Sequence, residues 1–156
     1  MLLKLEVVKP KVAILSAVES VNPAIPSTLD AAALCKMVDR GQITGAIVDG
    51  PLAFDNAISS DAARIKKIKS PVAGDVDLLL VPNLEAGNIL FKELQYLAGA
   101  LAAGVVVGAK VPIVLTSRAD GAVSYTHLGN LSAIDHLTKG RGIERGWYGG
   151  VYRFDR

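Results

Sequence analysis

The sequence is short of most things that mark a specialised surface. It has one cysteine, Cys35, in 156 residues. A single thiol excludes an internal disulfide framework and any cysteine-pair zinc site, and it fits a reducing compartment. Aromatic residues make up 5%, so a core has to be built mainly from Ala, Val, Leu and Ile. Charge of one sign is equally scarce: 17 Lys and Arg against 15 Asp and Glu leave a net +2. That balance argues against a general nucleic-acid binder, whose phosphate contacts need a concentrated positive field, and against a polybasic membrane anchor. No apolar run reaches the roughly 20 residues of a membrane helix; the nearest, Leu94 to Val107, is broken by Gln95, Gly99 and Gly104. The N-terminus, Met1-Leu2-Leu3-Lys4-Leu5-Glu6, lacks the charged start and apolar stretch of a secretory signal. The expectation is a soluble, cytoplasmic protein with neither membrane nor nucleic acid as partner.

What is present is a globular composition, 51% apolar and 21% charged, of a length usual for one domain. It is unevenly laid out. The segment 121–156 carries 5 Lys and Arg against 3 Asp and Glu, 7 of the 15 glycines and 5 of the 8 aromatic residues. The whole net charge therefore lies in that tail, and residues 1–120 are neutral. This shift predicts a boundary near Asp120.

Before that boundary strands and helices alternate. Lys11 to Ser16 is a short apolar run with β-branched members, a buried-strand pattern. After the turn Asn22-Pro23-Ala24-Ile25-Pro26, Ser27 offers a helix N-cap with Asp30 three residues on. Leu29, Ala33 and Met37 form the expected apolar stripe of that helix, and Gly41 its stop. Ile43 to Val48 reads as the next strand, ended by Asp49-Gly50-Pro51, and Ala57 to Ile68 as a helix with Lys66, Lys67 and Lys69 at its C-terminal end. Asp77 to Pro82 reads as a third strand. Leu90, Leu94, Leu97 and Leu101 recur at helical spacing, and Gly104 to Val107 and Pro112 to Leu115 read as two more strands. The alternation predicts a layered α/β/α domain with a largely parallel sheet.

Ligands of such sheets sit outside the carboxyl ends of the strands. The polar residues expected there are Ser16 and Glu19, then Asp49-Gly50-Pro51, then Asn83, Glu85, Gly87 and Asn88, and finally Ser117, Arg118 and Asp120. Asp49-Gly50-Pro51 is readable as a place of close backbone approach to a ligand or as a strand-to-helix turn. Gly87 reads as a turn residue. Asn88 reads as a neutral hydrogen-bonder to a ligand or as a helix cap. Glu19 reads as a solvated loop acid, and Cys35 as an inert core thiol. His127 and His136, nine residues apart without an acidic partner pattern, do not make a metal site, and none is expected.

Three of these segments together resemble the phosphate acetyl/butyryltransferase family: Gly45 to Ala57, with its Asp49-Gly50-Pro51-Leu52 core, Val81 to Lys92, with Asn83-Leu84-Glu85-Ala86-Gly87-Asn88, and Gly108 to Asp120, ending in Thr116-Ser117-Arg118-Ala119-Asp120. Ser16-Ala17-Val18-Glu19 and Val21-Asn22-Pro23 are closer to the butyryl branch. The resemblance runs over residues 9–120. It implies a two-lobed enzyme of the isocitrate/isopropylmalate dehydrogenase-like fold, of which residues 9–120 correspond to the second lobe. It further implies an active site in the cleft between lobes, a first lobe as missing partner, and a homo-oligomer in the full-length family.

The implied reaction is acyl-CoA plus phosphate giving acyl phosphate plus CoA, with CoA and phosphate as substrates and no cofactor. Both directions bring anions together, so cations and oriented N–H groups have to neutralise the phosphate and the developing oxyanion. A carboxylate can take the CoA thiol proton, and much of the acceleration comes from holding both reactants together. On this resemblance Ser117, Arg118 and Asp120 are the catalytic candidates, and Asp49, Gly50, Pro51, Gly87 and Asn88 the substrate-binding ones. The planar fork of Arg118 suits bidentate phosphate contact, and Ser117 can donate to the phosphate or the thioester carbonyl.

Two departures stand out. The acetyl branch places an aspartate several residues after its Ser-Arg pair, where this chain reads Gly121-Ala122-Val123-Ser124; Asp120 is not equated with it, and the base is unassigned. From Gly121 onward the resemblance stops, and Val123 to Leu128 resembles translated sequencing adapter, so residues 121–156 are expected to be disordered or artefactual. A fragment of this kind is expected to be weakly active or inactive alone. The alternative is a non-catalytic acyl-CoA-sensing or interaction domain.

Overall fold

The computed structural model describes residues 7–100, 104–106 and 113–115. They divide into two units, Val8–Phe91 and another that takes in the described residues from Lys92 onward.

In the first unit, β1 (Lys11–Leu15) is the middle of a three-stranded parallel sheet, with β2 (Ile47–Leu52) on one side and β3 (Leu78–Leu80) on the other. β1 has a neighbour on each edge, and its residues Ala13, Ile14 and Leu15 are buried. The expected α/β class with a parallel sheet is thus present. Ala13, Leu15, Leu52, Ala57 and Val72 form the core, flanked by Phe54, Ile68, Leu79 and Leu90 among others. Small and aliphatic side chains fill it, as the scarcity of aromatics requires.

Helix α1 (Pro26–Asp39) starts differently from expectation. Its N-cap is Ile25, without a side-chain bond, and Pro26 opens the first turn, where its missing N–H costs nothing. Ser27 lies inside the helix, and its Oγ is 2.8 Å from Ser16 Oγ at the end of β1. The turn before the helix is secured by Thr28, which is fully buried. Its Oγ1 accepts from Asn22 N–H at 2.9 Å, and Asn22 O and Ile25 O lie within reach of its hydroxyl at 2.9 and 2.8 Å. The inward face runs through Thr28, Ala31 and Cys35, whereas Leu29 and Met37 are exposed. The leucine–methionine stripe is therefore not the packing face, because small residues are what let α1 lie close to β2. Gly41, at φ 70°, follows the helix end as expected.

The expected helix over 57–68 is two shorter ones, α2 (Phe54–Ile58) and α3 (Ser60–Ile65). Ser59 breaks the run by capping α3, its Oγ accepting from Ala62 N–H at 3.2 Å. Gly74 packs directly on this junction: a Cβ there would lie 2.4 Å from Ser60 Cα, and φ is 78°. Only glycine meets both conditions. Lys66 closes α3, and Lys67 then turns left-handed at φ 55°, so Lys67 and Lys69 lie beyond the helix.

Helix α4 (Leu84–Tyr96) begins six residues before the first periodic leucine and ends before Leu97. Asn83 caps it, with Oδ1 accepting from Ala86 N–H at 2.8 Å. In the second unit, β4 (Gly104–Val106) and β5 (Ile113–Leu115) pair antiparallel in a sheet of their own. Both strands were expected, but not this orientation. Among the described residues no helix is long and apolar enough to cross a membrane.

Candidate active-site cleft

The carboxyl end of β2 is irregular. Ala13 pairs with Asp49 but Leu15 with Leu52, so one extra residue sits in β2 opposite Ile14. This is a β-bulge, and it explains how a Pro is accommodated within a strand. The Gly50–Pro51 peptide is cis. Pro51 and Leu52, adjacent in sequence, are both buried. The expected strand over 43–48 is thus displaced toward the C-terminus, and Asp49-Gly50-Pro51 lie inside β2 rather than after it.

Gly50 owes its identity to its own sheet. A Cβ there would stand 2.7 Å from Ile14 O and 2.8 Å from Ile14 Cβ, closer than unbonded carbon atoms approach. Gly50 O also accepts from Cys35 Sγ at 3.5 Å. Cys35 is half-buried rather than fully enclosed, and burial pushes its thiol pKa upward, assisted by the negative charge of Asp49. Asp49 Oδ1 accepts from the Gly50 N–H at 2.9 Å.

Asp49, Gly50, Pro51 and Leu52 form one side of an open cleft of about 370 Å³, completed by Glu19, Lys67, Ile68 and Lys69. It is lined by the C-terminal part of β2 and by Glu19 after β1, at the strand ends where α/β sheets take ligands. Glu19 is more than a solvated acid. Lys66 Nζ donates to Glu19 Oε1 at 3.0 Å and reaches Asp55 Oδ2 at 2.9 Å, and the Asn56 amide donates to the same Glu19 oxygen. The Lys66 ammonium holds both the Glu19 and the Asp55 carboxyl below their usual pKa range. Asp55 and then Glu19 in turn hold Lys66 above its own. Asn56 is fully buried, and its Oδ1 has no hydrogen-bond partner among the described residues.

The other expected binding residues are placed elsewhere. Gly87 and Asn88 are in the body of α4, not in a turn or at a cap. A Cβ on Gly87 would meet Val81 Cγ2 at 3.0 Å, which gives this glycine a packing role. Asn88 is exposed beside Leu84, Glu85 and Ile89 in a separate hollow of about 350 Å³. Ser117, Arg118 and Asp120 lie outside the described residues. Among the described residues no group of three or more His, Cys, Asp or Glu is gathered as a metal site.

The family profile for phosphate acetyl/butaryl transferase matches residues 2–134. The chain belongs to this family. The match includes residues 121–134, part of the segment in which resemblance was expected to have stopped. The phosphate acetyltransferase of Rhizobium meliloti is 68% identical over 112 residues, 72% of this chain and 35% of the relative. The probable phosphate butyryltransferase of Bacillus subtilis is 62% identical over 113 residues, 72% of this chain and 38% of the relative. Among solved structures, a branched-chain phosphotransacylase from Enterococcus faecalis superposes with a TM-score of 0.74 at 37% identity, covering 90% of this chain and 49% of that one. The chain thus spans about a third of the length of these curated relatives. Acetyl and butyryl members of the family both match it closely, so overall identity does not choose between them.

Proposed function

We propose that this chain is the substrate-handling lobe of a phosphate acyltransferase of butyryl type. A phosphate oxygen attacks the thioester carbonyl of acyl-CoA, the C–S bond breaks, and CoA leaves as thiolate or thiol with acyl phosphate as the other product. One observation carries the reading: Asp49-Gly50-Pro51-Leu52, from the first family-like segment, forms a wall of the cleft at the carboxyl ends of β1 and β2. The butyryl preference is supported by Glu19, which belongs to the butyryl-like stretch after β1 and lines the same cleft. Arg118 supplies the fork that neutralises phosphate and Ser117 a hydroxyl donor, with CoA and phosphate the only small molecules required. Pocket shape sets the acyl preference, and one or two methylenes are worth about 10–200-fold in such discrimination.

The test is phosphate-dependent thiol release from butyryl-CoA and acetyl-CoA by this chain, with calorimetric titration of CoA and phosphate. Saturable CoA binding with slow release at most, faster with butyryl-CoA than with acetyl-CoA and lowered further in Arg118→Ala, is the expected result, and robust turnover by this chain alone overturns the reading of it as one lobe. Faster release with acetyl-CoA removes the butyryl assignment. Tight, saturable acyl-CoA binding that stays without release when phosphate is supplied favours the non-catalytic acyl-CoA-sensing alternative, and the absence of both binding and release overturns the reading.

A further inference from the structure

The apolar stripe that spacing predicts for α1 faces away from the sheet. Leu29, Asp30, Ala33, Lys36 and Met37 are all exposed and recur at steps of three and four, so they share one face of the helix. Leu29 is 43% and Met37 37% exposed, whereas Thr28 and Ala31 are buried and Cys35 reaches Gly50 O in β2. α1 therefore carries apolar residues on two faces, and its own sheet covers one of them.

The order of residues along the outward face says what fits it. Asp30 and Lys36 stand at equal distances on either side of Ala33, and so do Leu29 and Met37. A half-turn about Ala33 thus exchanges the two charges and keeps apolar bulk at both ends. Two copies laid antiparallel across a two-fold axis at Ala33 bring Leu29 level with the second copy's Met37 and Asp30 level with the second copy's Lys36. A parallel pair would set Asp30 against Asp30 and Lys36 against Lys36, and like charges across a contact repel. The small side chain of Ala33 leaves room for two backbones to approach at the axis. Lys36 Nζ has Asp39 Oδ2 at 3.2 Å, but both side chains are exposed, and a lysine on its flexible stem can turn to a second carboxylate. Among the described residues Asp30 has no ion pair. We propose that the outward face of α1 is an isologous contact between two copies of this chain, antiparallel about Ala33, with Asp30 of each copy paired to Lys36 of the other.

One helix from each copy makes a contact at the small end of specific interfaces, so the association is weak and is followed over a wide range of protein concentration. Analytical ultracentrifugation of the whole chain is expected to show a monomer–dimer equilibrium. Asp30→Lys and Lys36→Glu each set like charges level with one another, and each is expected to weaken the dimer about tenfold while melting close to the wild type. Mixed in equal amounts, the two variants are expected to associate with each other as the wild type does with itself, because opposite charges then stand level again. Ala33→Cys in a Cys35→Ser background is expected to cross-link to itself on mild oxidation, since the axis brings the two copies of position 33 within disulfide reach. Asp61→Cys on α3, in the same background, is the exposed control and is expected to cross-link far more slowly.

A wild-type chain that stays monomeric throughout leaves this face to a different partner and overturns the proposal. Folded single variants that associate as tightly as the wild type overturn it too, because the dimer then forms through another surface. Weakened single variants whose mixture does not recover overturn the pairing of Asp30 with Lys36. Equal rates of cross-linking at positions 33 and 61 overturn the placing of the axis at Ala33. None of these outcomes touches the acyltransferase reading.

Discussion

Asp49–Leu52 and Lys67–Lys69 line the same cleft, yet they are held in place by different forces. The first is built into the sheet: Leu52 is 2% exposed, its carbonyl accepts from Ser16 N–H at 2.9 Å, and Gly50 has no room for a methyl group. The second follows a half-exposed ammonium shared between two carboxylates. Packing is intolerant of volume changes and indifferent to pH and salt. Exposed ion pairs behave the other way round. A cleft with one wall of each kind has a fixed side and an adjustable side.

Three measurements bear on this contrast. The largest effect is expected from Leu52→Ala, which empties a core position at the end of β2 and should cost about 2–5 kcal/mol in urea unfolding. A loss under about 1 kcal/mol would show that the wall is not held by the core. Gly50→Ala comes next, at about 1–3 kcal/mol, because the new methyl forces β1 and β2 apart. It should be felt equally at low and high salt, and a neutral outcome would mean that the bulge has slack.

The smallest effect belongs to the ion triad, and it is best read as a pH profile. Glu19 and Asp55 are lowered from ordinary values of 4.5 and 3.8. Their contribution is therefore complete above those values and is lost as pH falls through the lower, folded-state ones. Lys66 is raised from 10.5, so its contribution is complete below that value and is lost as pH rises through the higher one. Lys66→Met should flatten both limbs of the stability profile by lowering the neutral plateau slightly, so that variant and wild type converge at the extremes of pH. An acid limb that keeps its slope in the variant would show that the triad does not couple to folding.

The parts of the fold legible in the sequence are those governed by local pattern. β1 was expected from its apolar run over Lys11–Ser16, the stop of α1 from Gly41, and α4 from its spaced leucines. β2 was misplaced because Asp-Gly-Pro is ordinarily punctuation, and only pairing with β1 reveals that it lies within a bulged strand. Ser27 reads as a cap by residue type, but a proline start and the buried Thr28, bonded to Asn22 and Ile25 in the turn before it, do that work. Along the cleft, Asp49, Gly50 and Pro51 belong to a family-like segment and Glu19 to the butyryl-like stretch, but the ion pair of Glu19 with Lys66, 47 positions away, is not readable from the sequence. Three lysines within four residues beside a helix end are a pattern that the helix dipole alone accounts for. Gly87 and Asn88 share a segment with Asn83, yet their neighbours make them a packing glycine and an exposed helical amide.

The bulge in β2 has a consequence for how this cleft tolerates insertions and deletions. Strand residues alternate between the two faces of a sheet, so one additional residue reverses the parity of everything after it. Here it lets Leu52, three residues after Asp49, stand opposite Leu15, two residues after Ala13. A chain one residue shorter between Asp49 and Leu52 would either close the bulge that holds Gly50 and Pro51 or pull Leu52 out of register with Leu15. Length at this point is thus as exacting a requirement as residue identity: a deletion that left every named side chain intact would still dismantle the wall.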